Sequence, residues 1–329
     1  MQLKKAYVAD KSDSRLKRIH RLLQDPFTKL NCLFLHSVIP MFDSVNTLLQ
    51  KDEPCIHILH SVLLNLLRDV LVKFIRPISI TAAANMTEIL YKEEANHKAA
   101  DDIFIGSKTL QFIKDNATVL APRLPQFYDS VKRYYMTACD YMIKKFPFND
   151  PVLINAEVAS ICNRQSHSFN QLKYFTDRFS CLLPMNMSET VDTTLDSLQN
   201  EFNSYQVTVL PDSCMKAKRI DEAWHIISEI KDPVTGLAKF QLLSTVVKGI
   251  LVIFHSNADC ERIFSLVNKN KTEFRPNLST KTLGSLITRK LMMSAQSQLC
   301  HTVHHSKEVL RRAKSSTFLH LSAAADTNQ

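Results

Sequence analysis

The chain has 329 residues, an apolar fraction of 45% and a formal net charge of +9, so it can form one large domain or two modest ones. Its four glycines do not supply the spacings required by a dinucleotide-binding GxGxxG motif, a GxSxG nucleophile elbow or a P-loop, which excludes these sites. The positive charge favours acidic partners, most often nucleic acid.

The composition also indicates the cellular compartment and the kinds of partner that are not expected. The eight cysteines include no CxxC pair, which is typical of reduced thiols in an intracellular protein. No segment is predicted to span a membrane, and LLSTVVKGILVIF is interrupted by Lys248. We therefore expect no membrane partner and no small-molecule substrate.

Residues 1–185 are dominated by helical periodicity, and we predict one helical domain over this range. Pro40 is expected to kink the second helix, and Pro147 and Pro151 to end the last. The predicted helices are Lys17–Leu23, Thr28–Gln50, Glu53–Phe74, Thr87–Ala99, Lys108–Lys114 and Gln126–Lys145.

A polar segment, 186–218, is predicted to be a linker with one strand-like piece, QVTVL. A second domain is predicted at 219–298, followed by a basic, polar tail at 299–329. No run of strands alternates with the helices, so the fold class is mostly α and a complete parallel sheet is excluded. The helices predicted in the second domain are Ile220–Ile230, Lys239–Val252, a helix opening at HSNADCERIFSLV, and Thr280–Leu291.

The HSNADCERIFSLV helix carries a glutamate whose role is not obvious from its surroundings. Ser256 is a suitable N-cap, with Asp259 three residues later to complete a capping box. Glu261 lies at the rim of the apolar stripe and has no cation three or four residues away. The residues alone favour a salt bridge with a more distant cation over a metal ion.

The sequence SNADCERIFSLVNKNKTEFRPNLSTKTLGSLITRKLM resembles the C-terminal dimerisation region of hAT-family transposases and of proteins derived from them. FTKLNCLFLHSVIPMFDSVNTLLQ is similar to the helical insertion domain of that family, and KEVLRRAKSSTFLHL to its usual ending. A proline common just before the His-Ser-Asn stretch is replaced by Phe254. The residues that carry the most specific part of the match are Ser256, Ala258, Glu261, Arg262, Phe264 and Ser265.

The resemblance implies a ribonuclease-H-like core in which two strand-borne aspartates and one helical glutamate bind Mg²⁺ or Mn²⁺ for phosphoryl transfer. Glu261 matches the glutamate, but no residue matches either aspartate. Asp10 and Asp13 lie in a polar segment without a strand pattern. We therefore expect the C-terminal helices of an incomplete core, a vestigial Glu261, no catalysis and no resident cofactor. The metal ions would be needed only if a partner supplied the aspartates.

The resemblance also implies a nuclear protein that associates with itself or with a longer hAT-type relative. Clustered cations in the same region indicate nonspecific contact with the DNA backbone. No group of cysteines and histidines has the spacing of a known zinc site. The predicted dimerisation residues are Ile263, Phe264, Val267, Leu283, Leu286, Ile287 and Leu291, and the predicted DNA-binding residues are Arg262, Lys269, Lys271, Arg275 and Lys281.

Two other hypotheses remain open on the sequence. The chain could be a fragment of an active transposase whose aspartates are encoded upstream. It could also be a helical scaffold without any role on DNA, in which both apolar stripes are buried in the chain's own core.

Overall fold

The computed structural model describes residues 14–183, 190–273, 275, 277–299, 302 and 304–326. Helices dominate these residues, and the β pairing among them consists of two isolated bridges, Ile75 with His97 and Lys231 with Ala238. The prediction of a mostly α protein is confirmed. The chain divides into two compact units, Met1–Asn257 and Ala258–Gln329.

The longer helices of the first unit agree with most of the predicted helices to within a few residues. Short α-helical segments at Pro77–Thr81, Ala117–Leu120, Pro151–Ala156 and Asp212–Met215, together with single 3-10 turns, connect them. The longer helices are α1 (Ser14–Gln24), α2 (Pro26–Leu49), α3 (Ile56–Phe74), α4 (Ser107–Asp115), α5 (Leu124–Lys145), α6 (Phe169–Arg178), α7 (Val191–Val207), α8 (Ile220–Ser228) and α9 (Gln241–Leu251).

Helix α3 forms the centre of the first unit's core. Its apolar residues occur on several faces, and it packs against α2, α5, α9 and the short helix Pro151–Ala156. A helix that is apolar on most of its circumference must be covered on most sides, which explains its central position. The buried residues of α3 are Ile56, Leu59, Leu63, Leu66, Leu67, Val70, Leu71 and Phe74.

The structure differs from the predicted division into domains. Helix α9 packs on α3, α6, α7 and α8, so residues on both sides of the predicted linker share one core. The indole Nε1 of Trp224 donates a hydrogen bond of 2.8 Å to the carbonyl of Ala159, which joins the two halves directly. The unit ends at Asn257, inside the predicted 219–298 domain.

The predicted linker is also wrong over its described part, because α7 occupies 191–207. Leu198, Phe202 and Tyr205 are buried at i, i+4 and i+7, but most of the other residues of the helix are polar, and this narrow stripe obscured the helical pattern. The strand-like QVTVL is not a strand: Val207 ends α7, and Val209 is exposed in the following loop. Residues 186–189 lie outside the described residues.

The helix predicted at Thr87–Ala99 is replaced by short 3-10 turns at Met86–Glu88 and Glu94–Asn96. Besides local turn bonds, the backbone here bonds to residues at the end of α3 and just after it. Lys98 N donates to Phe74 O over 2.8 Å, and Arg76 N donates to Asn96 O over 2.8 Å. Tertiary hydrogen bonds therefore override a helical propensity that was only moderate.

Helix α2 has the length and composition of a membrane-crossing helix, with a mean hydropathy of 1.3 over its most apolar 18 residues. This differs from the prediction that no segment has the required length. Asp25 caps the helix by accepting a hydrogen bond from Phe27 N at 3.1 Å, and the helix continues through Pro40 to Leu49. Leu30, Phe34 and Val38 are buried against the core, although only 11% of this apolar window is buried.

The second unit contains α10 (Ala258–Asn270), α11 (Thr280–Ala295) and α12 (Lys307–Asp326). Helices α10 and α11 pack against each other. The N-terminus of α11 is capped by Ser279, whose hydroxyl oxygen accepts a hydrogen bond of 3.2 Å from Thr282 N. Helix α12 occupies most of the segment predicted to be a polar tail, with an i, i+4 ion pair between Glu308 and Arg312.

Candidate functional site

The second unit does not bury any apolar side chain within its described residues. Every buried apolar residue described in the chain lies at or before Leu251, and Asn270 is the one buried residue described after Ala258. A segment of this length normally requires a buried apolar core to offset the conformational entropy lost on folding. The exposed apolar surface of α10, α11 and α12 is therefore the most distinctive feature of this unit.

The inner face of the α10–α11 pair is half-buried and is fixed by a polar contact. Asn270 Nδ2 donates to Leu266 O over 2.6 Å, and Lys290 Nζ donates to Asn270 Oδ1 over 2.6 Å. Because Lys290 shares a face of α11 with Leu283 and Ile287, this contact turns those residues towards α10. The lysine–amide bond thus sets the register of the two helices.

The predicted dimerisation residues fall into two groups. Ile263, Val267, Leu283 and Ile287 are half-buried on the inner face, whereas Phe264, Leu286 and Leu291 are exposed. The stripe predicted on α10 is thus divided, because Phe264 lies about 100° around the helix from Ile263.

Phe264 is 65% exposed, Leu291 43% and Met292 50%. Met292 lies beyond the predicted end of its helix at Leu291, whereas α11 extends to Ala295. Helix α12 adds Leu310 and Phe318, which are also exposed and lie in the segment predicted to be a polar tail. The sequence signal for them is their spacing of i and i+8, which is compatible with one apolar face of a helix.

Each predicted DNA-binding cation is exposed, and the second unit carries most of the chain's charge. From Ala258 to Gln329, eleven lysines and arginines against five aspartates and glutamates leave +6 of the total +9. Arg262 and Lys269 are seven residues apart on one face of α10. Lys271 and Arg275 follow the helix, and Lys281 lies in the first turn of α11.

Glu261 is exposed on α10. Among the described residues, none makes an ion pair with its carboxylate, and the positions three and four residues away, Asn257, Ala258, Phe264 and Ser265, carry no cation. Within the described residues, no group of three His, Cys, Asp or Glu side chains is arranged to hold a metal ion.

The predicted capping box of Ser256 and Asp259 falls only partly on described residues. The helix begins at Ala258, and the hydroxyl of Ser256 donates a 2.6 Å hydrogen bond to the carbonyl of Leu49 within the first unit. The side chain of Asp259 lies outside the described residues.

The histidines of α3 serve packing in the first unit. Burial lowers the pKa of His57 to about 4, and its Nδ1 atom is enclosed without a hydrogen-bond partner. His60 bonds through Nε2 to Phe148 O at 3.1 Å and through Nδ1 to Glu157 at 3.4 Å. Cys55 is buried and its thiol donates to Glu53 O. A second sequence cluster of cysteine and histidine, Cys300, His301, His304 and His305, is only partly described, because Cys300 and His301 lie outside the described residues.

Comparison of the chain with protein-family models, with curated proteins and with solved structures gives no match.

Proposed function

We propose that this chain is a transposase-derived protein of the hAT type that associates with a second copy of itself, or with a longer relative, through α10 and α11. The observation that carries the proposal is the unburied apolar surface of the second unit, above all Phe264 at 65% exposure. Covering a large apolar side chain contributes about 1.5–3 kcal/mol, so a few such residues drive association. The resemblance of the surrounding sequence to a dimerisation region supports the same surface.

The proposal includes a structural assignment for both parts of the chain. Helices α8 to α11 would belong to the C-terminal helices of an incomplete ribonuclease-H-like core, and the helices before residue 186 would derive from an insertion domain. Glu261 would then be the remaining member of a carboxylate trio. We propose that the chain does not catalyse strand transfer by itself, since a single carboxylate provides too few ligands to fix a hydrated Mg²⁺ ion.

DNA would be a second, weaker partner, and the nucleus the place of action. The net charge of +6 on the second unit supports contact with phosphates. Such contact neutralises the backbone without reading bases, so binding should depend steeply on salt and little on DNA sequence.

Light scattering of the intact chain over a range of concentrations tests the proposal. The measured mass should rise from 37.6 kDa towards twice that value. Leu291→Glu should keep the chain monomeric, because a charge would be placed on the proposed contact surface. Leu237→Glu, at an exposed leucine of the first unit, is the matched control and should associate normally. A monomer at every concentration would refute the proposal.

A further inference from the structure

Helix α1 separates cationic and apolar side chains onto opposite faces. Lys17, Arg18 and Arg21 lie on one side, and no acidic residue occurs in the helix. Leu16, Ile19 and Leu23 lie on the other side; at about 100° per residue the centres of these two sets are roughly 180° apart, and Arg15 and Leu22 lie between them. The combination of a strongly basic face with an opposite apolar face is typical of helices that lie in the plane of a membrane surface.

The apolar residues of α1 are not part of the first unit's core. None of them is buried: Leu22 is 44% and Leu23 54% exposed, and Leu16 and Ile19 are half-buried. The helix packs against α2. Lys17, Arg18 and Arg21 form no ion pair within the described residues. The cations Lys17, Arg18 and Arg21 and the exposed side chains of Leu22 and Leu23 are therefore accessible to a partner.

The neighbouring helix α2 also exposes apolar side chains. Besides its buried side, α2 exposes Leu35 and Ile39, which are four residues apart on one face. Its most apolar window has a mean hydropathy of 1.3, and 11% of that window is buried. The α1–α2 pair thus presents leucine and isoleucine side chains in the same part of the chain as a cluster of cations.

We propose that α1 docks on the surface of an anionic phospholipid bilayer. Lys17, Arg18 and Arg21 contact the lipid phosphates, and Leu22 and Leu23 insert at the boundary between headgroups and acyl chains. A nucleic acid would satisfy the cations equally well, but it would leave both leucines in water. A bilayer accommodates both features, since interfacial binding combines apolar burial with attraction to anionic lipids. The proposal departs from the sequence-based expectation that no membrane is a partner.

Co-sedimentation of the full chain with vesicles tests the proposal. Vesicles of phosphatidylcholine with phosphatidylserine should bind the chain at least about tenfold more strongly than pure phosphatidylcholine, and added salt should weaken the binding. Replacing all three cations (Lys17→Gln, Arg18→Gln and Arg21→Gln) should lower the partition coefficient about 100-fold, because each cation near such a surface contributes about fivefold.

Two further variants separate the apolar contribution from the total charge. Leu22→Ser combined with Leu23→Ser should weaken vesicle binding by about tenfold at unchanged charge. Lys108→Gln with Lys144→Gln and Lys145→Gln removes the same charge elsewhere on the first unit and should change binding by no more than a few-fold. Because α1 lies outside the buried core, all variants should retain the circular dichroism of the parent.

Two results would overturn the proposal. Equal binding to neutral and anionic vesicles, or unchanged binding of either α1 variant, would refute docking through this helix. Duplex DNA that binds through the same cations while vesicles do not bind would assign the basic face to nucleic acid instead.

Discussion

Replacing Phe264 with alanine should dissociate the proposed dimer, and the size of the effect follows from the exposure of the ring. Phe264 is 65% exposed, which for a side chain of about 200 Å² is about 130 Å² of accessible surface. Alanine retains a small part of it, so about 100 Å² is lost, or ~2.5 kcal/mol per protomer at about 25 cal/mol per Å². A two-fold symmetric dimer contains the contact twice, which raises the expected loss to ~5 kcal/mol.

That loss corresponds to roughly three to four powers of ten in Kd if the ring becomes fully covered. Sedimentation equilibrium measures Kd for the parent and for Phe264→Ala under the same buffer conditions. Tyr141→Ala is the matched control, because Tyr141 is 61% exposed on a helix of the first unit. An unchanged Kd in Phe264→Ala, or an equal loss in both variants, would show that the reasoning from exposed area to interface is wrong.

Three further predictions address pH and DNA. Burial lowers the pKa of His57 to about 4, so this residue favours the fold above pH 6.5 and loses that contribution as the pH falls towards 4. Between pH 6.5 and pH 4, the free energy of unfolding measured in urea should therefore fall by on the order of 2–3 kcal/mol less in His57→Phe than in the parent. The carboxylate of Glu201 accepts backbone hydrogen bonds at the start of α9, and burial raises its pKa, so its contribution is largest below pH 4.5 and declines as the pH rises. Relative to Glu201→Gln, the parent should lose stability with rising pH in a urea titration series, and a constant difference would contradict the assigned burial. Replacing three cations by glutamine should reduce the slope of log K against log salt by about 2–3 in fluorescence anisotropy with duplex DNA, whereas an unchanged slope would exclude contact through Lys269, Lys271 and Arg275.

The helical class and most of the helix positions could be predicted from the sequence, because apolar residues recur at helical spacing in segments such as α3 and α5. Helix α7 could not be predicted, since it buries only a narrow stripe in a polar sequence. The turns at 86–99 were missed for a different reason: their backbone bonds to residues at the end of α3, and such long-range partners leave no periodic signal. The single core of the first unit could not be predicted for the same reason, because it depends on contacts between residues far apart in the sequence.

The candidate site was anticipated in part. The sequence pointed to α10 and α11, but an apolar stripe does not reveal which of its members face a neighbouring helix. Phe264 is exposed and Ile263 half-buried although both belong to the same stripe. The contact of Lys290 with Asn270 decides this division, and it depends on a pair of helices whose packing the spacing of residues does not specify.

The central claim is that the second unit, which buries no apolar side chain within its described residues, acquires an apolar core by contact with another molecule. Hydrogen–deuterium exchange of the intact chain at concentrations above and below the association midpoint tests this most directly. The amides of 258–295 should become protected only at the higher concentration, while those of α3 stay equally protected at both. Equal protection of 258–295 at the two concentrations would contradict the account.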